Sequence, residues 1–225
     1  MPEPFLDESP GQPSVRGFLH PAKTQSGKAL VLTHGAGANC NSPLLVALAE
    51  SFCAAAVTVL RCDLPFRQAR PHGPPLGTTE KDEAGLRRAI AVLRERIGGS
   101  VFLGGHSYGG RMGSMLLAQG ASTAEGLLLL SYPLHPPRKP LQLRTAHFPR
   151  LRTPALFVHG TRDPFGSPEE VQSALALIPG RTKLLTVEGA GHELLTKSNR
   201  ERFLAMVVAE FETFFSTAKQ ERASS

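Results

Sequence analysis

The chain is short of cysteine and has no long apolar run, and each shortage removes a class of protein. Cys40, Cys53 and Cys62 are the three cysteines in 225 residues. So odd and scattered a set builds neither a disulfide framework nor a zinc site, and it suits a reducing compartment. The longest run of leucine, Leu127 to Leu130, is far below the roughly 20 apolar residues of a membrane span. Residues 1 to 14 are rich in proline and acids and lack the basic and apolar segments of a secretion signal. The expectation is a cytoplasmic protein with no membrane partner. The histidines are scattered, with no His-x-x-x-His pair and no acidic cluster, so neither a metal nor another cofactor is expected. A net charge of +6 comes without a helix-turn-helix pattern or a basic motif interleaved with aromatics, which argues against a specific nucleic-acid partner. No internal repeat is visible.

What is present is a 41% hydrophobic chain of a size that suits one α/β domain. That domain is read over residues 15–217, between a disordered start (1–14) and a polar tail (218–225). Val15 to His20 reads as an early edge strand. Ala29 to Thr33, Val57 to Arg61, Val101 to Gly104, Gly126 to Ser131, Ala155 to His159 and Lys183 to Val187 read as buried strands. Their apolar runs are continuous rather than alternating, as in a parallel sheet covered on both faces. Between them, apolar residues recur at spacings of three and four: Leu45, Leu48 and Phe52; Leu86, Ile90, Leu93 and Ile97; Val171, Leu175 and Ile178; Phe203, Val207, Phe211 and Phe214. Each set lines one helix face and packs on the core. Strand alternating with helix predicts a mostly parallel, doubly wound sheet of about seven strands, with ligands beyond the carboxyl ends of the strands.

Four chemistry-bearing segments fall at those ends. Gly105-His106-Ser107-Tyr108-Gly109 follows a short apolar strand and opens a helical run. A turn from strand to helix in so few residues crowds the backbone, needs small flanking residues, and leaves the serine hydroxyl projecting. Ser107 is the candidate nucleophile. His192, in the glycine-rich loop Glu188-Gly189-Ala190-Gly191-His192, is the candidate base. Asp163, after the strand ending at His159 and before Pro164, is the candidate carboxylate to orient it, with Asp63 as the alternative. The strand ending at Thr33 runs into His34-Gly35-Ala36-Gly37. There the N–H of Ala36, together with that of Tyr108, is the candidate oxyanion hole, and Gly37 is the alternative first donor. His34, His106, His159 and Asp63 read as residues that hold loops.

Through His34-Gly35-Ala36-Gly37, Gly105-His106-Ser107-Tyr108-Gly109, Asp163 and His192, in the order Ser, Asp, His, the chain resembles the α/β-hydrolase superfamily over roughly residues 15–217. Arg61-Cys62-Asp63-Leu64-Pro65-Phe66-Arg67 and the short length are similar to its small, lid-poor branch, related to dienelactone hydrolases and to the testis-expressed and chromatin-complex hydrolase-like proteins. The resemblance implies an α/β-hydrolase fold without a large cap domain. His106 and Tyr108 beside the serine depart from that branch, so no precise substrate carries over.

Two proline-rich connections, Asp63 to Thr79 and Tyr132 to Thr153, leave strand ends and should border the pocket. The second holds Arg138, Lys139, Arg144, Arg150 and Arg152 and not one acid. Gly37, Arg67 and Arg111 are candidate substrate-binding residues, and the basic loops favour an anionic substrate. The function expected is hydrolysis of a small-molecule carboxylic ester or thioester through an acyl-enzyme. The alternatives are a hydrolase-fold interaction protein with an unused triad and a dipeptidyl-peptidase-like amidase. Oligomeric state is not legible.

Overall fold

The computed structural model describes residues 1–24, 26–75, 79–120 and 123–223, with side chains as far as residue 216. Eight strands form one sheet: β1 (Glu3–Asp7), β2 (Val15–His20), β3 (Lys28–Thr33), β4 (Thr58–Cys62), β5 (Ser100–His106), β6 (Leu127–Leu130), β7 (Ala155–Gly160) and β8 (Thr182–Val187). Six helices accompany it: α1 (Pro43–Ala54), α2 (Pro65–Ala69), α3 (Thr79–Ile97), α4 (Tyr108–Leu117), α5 (Pro168–Leu175) and α6 (Arg200–Ala223). Strand order is β1-β2-β4-β3-β5-β6-β7-β8. The pairs β1–β2 and β2–β4 are antiparallel and the rest parallel.

The order reverses at β3: the chain steps outward to β4, then crosses back to β5 on the other side. The loops that leave β3 and β5 therefore head away from each other and open a crevice at their carboxyl ends.

The continuous apolar runs resolve into two faces with a period of two. Leu30 and Leu32 pack with Leu45, Leu48 and Phe52 of α1 and with Phe203, Val207 and Phe211 of α6. Ala29 and Val31 pack on the opposite face with Ile90 and Leu93 of α3, Met112 and Leu116 of α4, and Val171 of α5. The aromatic stripe of α6 is core: the Phe211 ring lies 4.9 Å from Phe52 and 5.0 Å from Phe102, both edge-on. Local chemistry sets the helix ends. In α3, Glu80 and Asp82 occupy the first turn and Arg94 and Arg96 the last, each sign matched to the helix dipole. In α5, Ser167 and Glu170 form a capping box ahead of Pro168.

Three expectations need correction. Residues 1–14, read as disordered, contribute β1, which pairs along β2 from Glu3–Leu19 to Asp7–Val15. The strand satisfies β2's outer backbone groups, and Arg88 clasps Asp7 through two hydrogen bonds of 2.8 and 3.0 Å. Neither contact leaves an apolar period in the sequence. The tail read from residue 218 is helical to Ala223, as part of α6; residues 224–225 lie outside the described residues, as do 76–78 of the first basic connection. Ile178 is buried in a turn beyond α5 rather than on that helix.

No helix among the described residues is long and apolar enough to cross a membrane. The connection from β6 to β7 holds one 3-10 turn, Phe148–Arg150, so no large cap covers the sheet among the described residues.

Replacing Phe211 by alanine removes the ring shared by α1, β5 and α6 and should cost about 3–5 kcal/mol, read from urea unfolding. Acid should also destabilise the fold. His20, His34, His106 and His147 are buried. Burial first, then neighbouring cationic groups, lowers the pKa of His20 and His147 to about 4; burial holds His34 and His106 below the ordinary value against the hydrogen bonds to Gly35 O and His192 O, which raise it. The folded chain keeps these rings neutral, whereas the unfolded chain protonates them below about pH 6.5. Stability is therefore present above that pH and lost as pH falls toward 4. A melting temperature lower at pH 5 than at pH 7 is the expected result.

Candidate active site

A single residue, Ser107, separates the end of β5 at His106 from the start of α4 at Tyr108. It reverses the chain at φ 50°, ψ −114°, a conformation costly for any residue with a Cβ and held only where its surroundings over-determine it. Here the Ser107 N–H donates to Leu130 O (2.8 Å), and its carbonyl accepts from the Arg111 N–H (3.0 Å). The flanking glycines are required by contact: a Cβ at Gly105 would sit 2.4 Å from Gly110 N, and one at Gly109 2.6 Å from His34 O.

The loops after β7 and β8 bring two further side chains to the serine. His192 Nε2 lies 2.9 Å from Ser107 Oγ, and His192 Nδ1 lies 2.8 and 3.0 Å from the two oxygens of Asp163. An ionised Asp163 accepts from Nδ1–H, which leaves Nε2 as the acceptor for the serine proton. Burial alone would raise the Asp163 pKa. The hydrogen bond and charge of His192 and the Phe165 N–H (2.9 Å) overcome it, and the carboxyl stays below its ordinary value.

Two rings flank the His192 imidazole, Phe165 at 4.3 Å and His106 at 5.1 Å between centroids. His106 Nε2 donates to the His192 carbonyl (2.9 Å), so the residue before the serine clips the backbone of the candidate base. His159 Nε2 donates to Gly166 O (2.8 Å) and ties the Asp163 loop in the same way.

The His34-Gly35-Ala36-Gly37 loop lies against this turn: a Cβ at Gly35 would come within 3.4 Å of Ser107 Cβ. Its rigidity is built from beneath. The fully buried His34 accepts the Leu64 N–H at Nε2 (3.1 Å) and contacts Gly35 O through Nδ1 (2.9 Å). Asp63, the alternative orienter, accepts the Cys40 N–H (2.8 Å) and so anchors the far end of the loop, away from His192. Tyr108 opens α4, so its N–H has no intrahelical acceptor and remains a donor beside Ser107. A Cβ at Gly37 would meet nothing within 4 Å, so this residue borders open space.

Arg67, proposed above as substrate-binding, does something else. It is buried, and its donors go to Ala38 O (2.8 Å), Ala36 O (2.6 Å), Arg70 O (3.2 Å) and Gly73 O (3.1 Å), with Phe66 stacked at 4.9 Å. One guanidinium thus stitches the candidate oxyanion loop to α2 and the segment after it, with four of its five N–H donors spent on backbone carbonyls. Arg111 differs, since its side chain makes no hydrogen bond or ion pair among the described residues, and its Nε is buried without an acceptor.

Sequence reasoning missed two supports. Phe165 follows the Asp163-Pro164 turn and carries no pattern of its own. Asp82 is buried in α3, where its carboxylate accepts from Tyr108 Oη (2.8 Å) and from Phe66 N–H (3.0 Å). The only available cue was an acid in the first turn of a helix, a common surface feature.

A family model described as an alpha/beta hydrolase domain matches residues 26–217. The chain belongs to that family. This hydrolase-family chain also shares its fold with solved structures of low identity. They include an alpha-beta serine hydrolase homologue from Coxiella burnetii (14% identity, TM-score 0.75, 92% of this chain and 96% of that one). Est1E from Butyrivibrio proteoclasticus superposes similarly (17%, 0.75, 95% and 99%). So does a dienelactone hydrolase from Anabaena variabilis (19%, 0.74, 95% and 98%).

Replacing Arg67 by methionine keeps the apolar stem but leaves buried carbonyls unpaired. The hydrolase should lose on the order of 3 kcal/mol of stability, measured by denaturant unfolding, with protection from amide exchange falling first around Ala36 to Ala38.

Proposed function

We propose that this member of the hydrolase family is a serine hydrolase that cleaves a carboxylic ester or thioester of a small molecule through an acyl-enzyme. The observation that carries the reading is the unbroken line from Asp163 through both nitrogens of His192 to Ser107 Oγ, at hydrogen-bond distance throughout, on a strained turn at the sheet's carboxyl edge.

The chemistry follows from those positions. Ser107 Oγ attacks the substrate carbonyl carbon while His192 Nε2 takes the hydroxyl proton. Asp163 holds the ring with Nδ1–H toward it and offsets the positive charge that develops. The N–H groups of Ala36 and Tyr108 stabilise the tetrahedral oxyanion, each worth about 2.7–4 kcal/mol in such a site. Collapse breaks the bond to the leaving oxygen or sulfur, which receives the proton from His192. Water, deprotonated by the same nitrogen, then releases the acid and restores the serine. No step calls for a cofactor.

A cytoplasmic location suits the three free cysteines. Burial first, with the carboxylate of Asp63 nearby, pushes Cys40 up to about 12, and burial likewise raises Cys62, so neither thiol ionises at neutral pH.

Two measurements test the proposal. An active-site-directed fluorophosphonate should add once to the folded wild type and not to Ser107→Ala, and kcat on a p-nitrophenyl ester should fall by at least about 10⁴-fold in that variant. Equal labelling of both proteins would overturn the role of Ser107. Because His192 acts as neutral base, kcat/KM should decline on acidification; a profile flat from acid to alkaline pH would contradict it. Parallel assays on thioesters and amides decide between the ester, thioester and amidase chemistries.

A further inference from the structure

The Arg111 N–H donates to the Ser107 carbonyl (3.0 Å), so this arginine lies in the first turn of α4, directly after the serine turn. Its surroundings come from the basic connection after β6. There Tyr132 Oη donates to Arg144 O (2.6 Å), and Arg144 Nη1 reaches only Pro133 O (3.3 Å). Beneath them Ser114 Oγ donates to Arg111 O (2.9 Å) and lies 2.8 Å from His147 Nε2.

No acid answers these cations. None of the ion pairs among the described residues involves Arg111 or Arg144. The charge of Arg111 is felt at Tyr108, Tyr132, Arg144 and His147, and not one of these is a carboxylate. Burial and then Arg111 depress the Arg144 guanidinium, so the two cations are held together against their repulsion. Asp82, the acid bonded to Tyr108, is already engaged by Tyr108 and Phe66.

A partly desolvated guanidinium with a buried, unpaired Nε raises the energy of the free protein. A planar anion that accepts from the fork would relieve it. Arg67 shows the contrast within the same fold, because that structural arginine gives four hydrogen bonds to carbonyls, whereas Arg111 is held open beside the serine turn.

We propose that Arg111, with Arg144, forms a carboxylate-binding subsite next to Ser107, so that the preferred substrates are monoesters or thioesters of short dicarboxylic acids. This rests on the serine-hydrolase reading for turnover, but binding at the subsite does not. The free carboxylate docks on the guanidinium pair, and the ester carbonyl at the other end of the acyl chain is thereby delivered to Ser107. The neutral oxygen or sulfur leaving group points to the opposite, open side near Gly37. No covalent step beyond the acyl transfer described above is involved.

The test compares p-nitrophenyl hydrogen glutarate with p-nitrophenyl pentanoate, which has the same chain length and no charge. Wild type should favour the glutarate ester by roughly tenfold or more in kcat/KM. Arg111→Gln and, separately, Arg144→Gln should each lower that ratio by a similar factor, with far-UV circular dichroism confirming the fold. A readout free of turnover uses glutarate itself: it should raise the melting temperature of Ser107→Ala and fail to raise that of Ser107→Ala/Arg111→Gln. If esters are hydrolysed with no preference for the anionic one and glutarate shifts neither protein, the subsite is overturned and the hydrolase reading stands. If glutarate stabilises only the protein that keeps Arg111 while no ester or thioester turns over, the subsite stands and the hydrolase reading falls.

Discussion

The whole arrangement depends on the close approach of two backbones, the turn at Ser107 and the loop that leaves β3. The crossover that places β3 beside β5 sets their carboxyl ends side by side; Gly109 lets the serine turn lie against His34 of that loop, and Gly105 lets the turn close on Gly110, where any Cβ would intrude. Everything with chemical potential in the chain is measured from that contact. The serine is forced outward, and Tyr108 opens α4 with an N–H that has no intrahelical acceptor.

Around that contact the protein spends charge sparingly. His34, His106 and His159 act through hydrogen bonds to backbone carbonyls, and Arg67 delivers its positive charge to carbonyl dipoles rather than to an acid. Asp163 is the exception, an ionised group kept out of water beside His192. The result is a low-dielectric floor in which one carboxylate governs the orientation of one imidazole, with Phe165 and His106 limiting how far that ring can swing.

The core strands and the positions of Ser107, Asp163 and His192 were legible because each signal is local: a continuous apolar run for a strand covered on both faces, and a small-residue turn at its end. The residues that failed to announce themselves act across distance. Arg67 sits in an unpatterned proline-rich segment, and only the fold shows that the carbonyls of Ala36 and Ala38 surround it. Asp82 looks like an ordinary first-turn acid until Tyr108 arrives from another element. β1 is written by its partner rather than by its own residues, since Phe5 is its one side chain packed against the core. Charge counting singled out the arginines of two connections but did not separate an arginine that ties loops together from one left open.

The clasp between Asp7 and Arg88 bears on how the molecule can be handled. It joins the outermost ribbon to α3, the helix that also bears Asp82. Trimming the first few residues would strip a protective selvage from β2, leaving a naked row of amides and carbonyls that invites neighbouring copies to stitch themselves on. A fusion partner grafted there would burden the hem of the sheet, whereas the opposite terminus leaves from the end of a helix.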